Sequence, residues 1–265
     1  MRTLFQGILL AGASVILSAS IMLNTSLAAP HTSIDRILAQ LAPPPADEAL
    51  DQIPDLGRKL LALRSYLRAG SSLKERWSWT EQEIEAFQGS VEQSSLLDEV
   101  AAVSAHFARS NPGYEIYANT RVRNLDVQIA RWNESASVGS AAQEILVAWE
   151  TKFDDNARLQ EAVDPIELRS WLSGLALTKR ASLAAPGLSL HGRAHAIDFQ
   201  ILRDGKIIGG ADNTKIETFW RAEKWDQKLK ASIDAAGPSF NGPLTSPDEP
   251  WHYNYEPPDA AARSC

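Results

Sequence analysis

The feature that most restricts the fold is a change of period along the chain. Ahead of Ala194 the apolar residues recur mostly at three- and four-residue intervals, the spacing of a helix face; after it they alternate, the spacing of a strand. Helical patterns cover residues 34–41 and 48–69, the latter ending at Gly70. Thr80 with Glu83 three positions on predicts a capping box opening a short helix to Phe87. Leu96, Val100, Val103 and Phe107 form an amphipathic stripe that stops before the turn signal Asn111-Pro112-Gly113. A strand is predicted over residues 114–119, and helices over 124–132, 140–153 and 164–176. Residues 196–202 and 206–209 flank Asp204-Gly205, a hairpin signature, and are followed by a helical pattern over 214–235 and a short strand over 251–255. Strands that mostly gather late behind a helical run predict an α+β fold: a small antiparallel sheet flanked by helices, with a helical N-terminal region.

The N-terminus reads as an export signal. Arg2 supplies the positive end, residues 4–23 carry no charge, and Ser26-Leu27-Ala28 offers small residues for cleavage before Ala29. The apolar stretch is also long enough to stay as a membrane anchor, at about 20 residues. Both readings place the remainder outside the cytoplasm, periplasmic or secreted. The predicted organisation is therefore a signal or anchor over residues 1–28, a helical region over 29–90 containing the stiff linker Ala42-Pro43-Pro44-Pro45, an α+β domain over 91–257, and a Pro- and Ala-rich tail over 258–265.

Composition narrows the chemistry. With 26 basic and 33 acidic residues the 265-residue chain carries a net charge of −7, which argues against nucleic acid as a general partner. Its one cysteine, Cys265, excludes internal disulfides and Cys-based metal sites. A metal would need His, Asp and Glu, and there are only five His: His31, His106, His191, His195 and His252.

Three of those His fall in two short segments, Ser189-Leu190-His191-Gly192-Arg193-Ala194-His195-Ala196-Ile197-Asp198 and Glu249-Pro250-Trp251-His252-Tyr253. On one straight strand His191 and Asp198 would face opposite sides, roughly 23 Å apart. They can share a ligand only if the chain turns between them, which Gly192-Arg193-Ala194 permits. A His/Asp/His set would leave a fourth metal position open for water, as catalytic zinc sites do. Singly, each residue has a plainer reading: a hydrogen-bonded core His, a solvated hairpin Asp, a loop Glu before Pro. Spacing alone leaves both readings standing.

The segments resemble the S-x-H-x-x-G-x-A-x-D and E-P-W-H-Y signatures of VanY-like zinc D-alanyl-D-alanine carboxypeptidases, in the superfamily that also holds lysostaphin-type endopeptidases and the hedgehog signalling domain. Ser189, His191, Ala196 and Asp198 match the first, and Glu249, Pro250, Trp251, His252 and Tyr253 the second. The resemblance implies zinc held by His191, Asp198 and His252, with Glu249 as catalytic base. Residues 119–128 resemble the family's S-G-Y-R-S segment and following Gln, which implies Arg123 as the oxyanion or carboxylate anchor, with Arg121 its competitor, and Gln128 beside the substrate. Ser189, Trp251 and Tyr253 are carried over as substrate-binding candidates, and His195 as a strand residue near the site. Ala194 stands where the signature has Gly, and Arg121-Val122 where it has Gly-Tyr. The likeness spans roughly residues 92–256; residues 31–90 match nothing in it.

The expectation is an exported zinc D,D-carboxypeptidase acting on peptidoglycan stem peptides. One alternative is a murein endopeptidase, D,D or L,D, with the same site; another is a cell-wall-binding or assembly protein that no longer catalyses. A membrane enters only through an uncleaved anchor.

Overall fold

The computed structural model describes residues 33–153 and 163–257. The signal or anchor over residues 1–28 and the tail over 258–265 lie outside the described residues. Among those described, no helix is long and apolar enough to cross a membrane.

The fold is α+β, with two hydrophobic cores in one compact unit. The first core is helical. It takes α1 (Ser33–Leu41), α2 (Ala46–Asp51), α3 (Leu56–Ala69) and α4 (Leu73–Arg76) from the N-terminal side. Leu38, Leu60 and Leu63 from this set pack in one cluster with Trp132, Ile145 and Leu168. Those partners belong to α7 (Leu125–Glu134), α8 (Ala136–Phe153) and α9 (Pro165–Gly174). The residues ahead of 77 thus share their core with helices from beyond residue 124. The Pro43–Pro45 run is a corner at the surface of that core, joining the buried Leu41 and Ala46 on either side of it.

Most helix limits follow their sequence signals. Thr80 caps α5 (Glu81–Phe87) in a complete box with Glu83, and Ser90 caps α6 (Val91–Ser110), whose Leu96, Val103 and Phe107 are buried. Two patterns depart. The helical run over 48–69 is two helices, because Pro54 has no N–H to donate and its ring crowds the preceding turn. The run over 214–235 becomes a wide turn over Ile216–Arg221 and then α10 (Trp225–Ala236), separated by Lys224 at φ 55°. Trp220 and Trp225, five apart, would lie about 140° apart around one α-helix. Both are buried, and the interruption turns both indoles inward.

The second core lies under a five-stranded antiparallel sheet built from β1 (Glu115–Ala118), β2 (Ala196–Arg203), β3 (Lys206–Gly209), β4 (Phe240–Asn241) and a last strand, with α6 and α10 packed together in the same cluster. The β5 (Leu244–Thr245) and β6 (Asp248–Glu249) pair forms a separate hairpin just ahead of β7 (His252–Tyr255), the last strand of the main sheet. The order is β1-β2-β7-β4, with β3 also on β2. Asp204 and Gly205 both adopt positive φ, the geometry of the tight turn that Asp-Gly predicts. Along β2 the core takes Ile197, Phe199 and Ile201, and along β7 it takes Tyr253 and Tyr255. The alternate residues of the two strands, Asp198 and Gln200 with His252 and Asn254, are left half-buried on the opposite face.

Candidate functional site

Sheet register builds half of the site. Asp198 and His252 are direct antiparallel partners across β2 and β7, so their side chains leave the same face side by side. His191 arrives from a 3₁₀ turn, Leu190–Arg193, after which Ala194 at φ 56° reverses the chain into β2. Ala194 holds the left-handed conformation that a glycine adopts freely, so the departure from the signature keeps the turn's shape. The chain does turn between His191 and Asp198, and the two meet: His191 Nε2 lies 3.4 Å from Asp198 Oδ1.

His252 Nδ1 lies 3.1 Å from the same Asp198 oxygen and 3.3 Å from His191 Nε2. These three atoms form a nearly equilateral triangle. For a four-coordinate ion with ligand bonds of about 2.0–2.1 Å, the edges of the tetrahedron are about 3.3 Å. His191, Asp198 and His252 therefore form a group that can hold a metal ion, and they are the one such group among the described residues. The donor chemistry fits as well. Asn254 Oδ1 lies 3.2 Å from His252 Nε2, placed to accept a hydrogen from it in the tautomer whose Nδ1 lone pair would face a metal.

The electrostatics of Asp198 and His191 suit a metal, while His252 holds its proton more tightly in the metal-free site. Burial opposes ionisation of Asp198, yet hydrogen bonds and charge from His191 and His252 outweigh it and hold the carboxyl well below the usual range. Burial pushes His191 down, toward the neutral ring that a metal needs. His252 moves up, because its bond to Asp198 overcomes the burial of its charged form. Glu249, at the end of β6, stands 3.7 Å from His252 Nδ1, and burial raises its carboxyl above the ordinary value. Its hairpin is clamped by Arg221, whose Nη2 donates to both Asp248 oxygens at 2.9 and 3.1 Å while Nη1 reaches Asp226.

All four residues line one cleft of ≈ 640 Å³, together with Arg123, Ser189 and Trp251. Arg123, not Arg121, reaches the cluster: its Nη2 donates to Asp198 Oδ2 at 3.2 Å, and its backbone N–H to His191 O at 2.9 Å. Gln128 sits beneath the cleft instead of in it. It is 6% exposed and its amide is fully engaged, donating to Ser78 Oγ and Arg123 O and accepting from Gly187 N–H. It ties together the loops that carry Arg123 and His191. Tyr253 is 0% exposed and points into the second core, because it is one residue out of phase with His252 on β7. Trp251 is buried with its ring 5.8 Å from Trp220, and it also lines the cleft. His195 packs edge-on against Trp79, outside the ligand group.

Asn254 escaped sequence reading although it was detectable, since period two places it on the same strand face as His252. Gly192 was marked for its part in the turn, but not for the close approach it permits: a Cβ there would overlap the Ser78 hydroxyl and crowd the Gln128 amide, which is visible only in three dimensions. No family model matches the chain, and no curated protein or solved structure resembles it significantly.

Proposed function

We propose that this chain is an exported zinc D,D-peptidase of the VanY-like kind, removing the terminal D-Ala from peptidoglycan stem peptides. The observation that carries the reading is the tetrahedral spacing of His191 Nε2, Asp198 Oδ1 and His252 Nδ1, with the Glu249 carboxylate beside them in one cleft. Two imidazoles and one carboxylate, with a fourth position open, suit catalytic zinc. Zinc bound there would supply an acidified water and a Lewis acid for the scissile carbonyl.

The chain's own groups have separable tasks. Glu249 accepts the proton of the attacking water and returns it to the leaving amine, and its raised affinity for a proton suits it to both steps. Asn254 keeps His252 in the tautomer that presents Nδ1. Arg123 offers its planar guanidinium to the developing oxyanion or to the substrate's terminal carboxylate. Ser189 and Trp251 bound the space beside the peptide.

The test is digestion of purified muropeptides by the full chain, with and without a chelator, with products identified by mass. Loss of one D-Ala from pentapeptides, abolished by chelation and restored by zinc, is the expected result. Conversion of cross-linked dimers to monomers would reassign the enzyme as an endopeptidase. No chelator-sensitive change in either substrate would leave a cell-wall-binding protein and end the catalytic reading.

A further inference from the structure

A second groove, of ≈ 770 Å³, runs beside the metal cleft and shares Ala181, Leu183, Ala184, Leu188 and Pro247 with it. Its charge is one-sided. Arg64, Arg68, Arg76, Lys179 and Arg180 line it, and no described carboxylate does, in a chain whose net charge is −7. These cations sit far apart in sequence, on α3, α4 and the loop after α9, and the fold gathers them.

Their partners leave the charge standing. Arg64 Nε and Nη2 donate to Leu175 O at 3.1 and 2.7 Å, and Arg68 Nε donates to Ser173 O at 2.9 Å. Carbonyls orient these guanidiniums without neutralising them. Burial and the neighbouring Arg68 charge push Arg64 down, as uncompensated like charges do. Arg76 and Arg180 are exposed and form no ion pair among the described residues. Glu144 offsets Lys179 alone, and it also fixes the loop by accepting from the backbone N–H groups of Thr178 and Lys179. Leu177 and Leu183, both half-buried, add apolar surface to the same groove, which suits a peptide backbone and side chains better than a string of phosphates.

We infer that this basic groove binds an acidic peptide segment, the arm of the substrate that leads away from the scissile bond. The inference rests on the peptidase reading only in calling that peptide a substrate. The commitment to a peptide comes from continuity with the metal cleft and from the apolar surface in the same groove.

The test is fluorescence anisotropy of a fluorescein-labelled tetraglutamate peptide on the full chain, at low ionic strength with EDTA present. Saturable binding that weakens with salt is expected, and a labelled tetralysine peptide should not bind. The double variant R76E/R180E should bind about tenfold more weakly, since each exposed ion pair contributes a factor of about two to five. Arg180→Gln alone should weaken binding about two- to fivefold, and thermal melting of both variants separates this loss from misfolding. Unchanged affinity in a folded variant overturns the inference. So does equal competition by inorganic phosphate, or tighter binding of a single-stranded nucleic acid. Because the assay excludes metal, peptide binding without muropeptide hydrolysis would count against the peptidase alone. Hydrolysis with no effect of these substitutions on binding would count against the groove alone.

Discussion

Gly192→Ala would show how tightly the site is tied to the rest of the molecule. A Cβ at residue 192 would overlap Ser78 Oγ and come within 2.6 Å of Gln128 Nε2 and 2.7 Å of Ser78 Cβ. Ordinary contacts to carbon lie at about 3.5–4.0 Å, so something must move by about an ångström. Ser78 Oγ cannot simply swing aside, because it donates to Gly187 O at 3.2 Å and accepts from Gln128 Nε2 at 2.9 Å. Displacing that pair strands buried polar groups, at about 1–3 kcal/mol. Moving the backbone instead breaks the bonds from Trp79 N–H to Gly192 O and from Gly192 N–H to Ser189 O, both 2.9 Å, and carries His191 with it. Adding the strain of an overpacked interior, about 1–3 kcal/mol, gives a total of about 2–6 kcal/mol. For a domain of this size that lowers Tm by about 10 °C. Circular dichroism melting reads the stability, and competition with a chromogenic chelator reads zinc affinity, which should fall as His191 shifts. Ser78→Gly in the same chain removes two of the three obstructing atoms and should restore part of the loss, a coupling of about 1–3 kcal/mol. A Tm change below about 3 °C, or strictly additive single effects, would refute the idea that Gly192 is required by close approach.

Other expectations follow from particular atoms. Glu249→Gln should keep zinc and lose muropeptide hydrolysis by about 10²–10⁴-fold; undiminished turnover at full metal loading would remove Glu249 as the base. Asn254→Ala frees the His252 tautomer and should weaken zinc binding about 10- to 100-fold, read by chelator competition, with the fold's circular dichroism unchanged. Thr80→Ala opens the capping box of α5 and should cost about 1 kcal/mol near neutral pH. The bonds from Thr80 hold the Glu83 carboxyl below its ordinary value, so their contribution is present above pH 4.5 and fades as pH falls through the lower folded value. The melting difference between wild type and variant should shrink in that acid range, and a difference that grows there would contradict the assignment.

What could be read in the sequence was what is local. The capping box at Thr80, the turn at Asp204-Gly205 and the stripe from Leu96 to Phe107 depend on residues within a few positions of one another, and each appears where expected. The three residues that can hold a metal ion were legible as two short segments, but their meeting was not a local matter. It depends on Asp198 facing His252 across two strands and on Ala194 tolerating a left-handed turn. Pro54 did announce its break, and only the regular spacing of leucines around it argued for continuity. Lys224 gave no such notice, because a lysine at positive φ has no sequence mark. Gln128 and Tyr253 are both buried away from the cleft's lining, because a motif gives a residue's place in the chain, not which side of a strand or loop it faces.

The pairing of Asp198 with His252 also acts as a key for the sheet. Strand side chains alternate faces, so sliding β7 by one residue along β2 would carry His252 into the layer of Phe199 and Phe240 and send Tyr253 out toward the cleft. A molecule folded in that register would expose an aromatic ring, bury an imidazole and present no complete ligand set. Metal uptake would then work as an assembly inspector, taking up ions only in chains whose strands had aligned correctly.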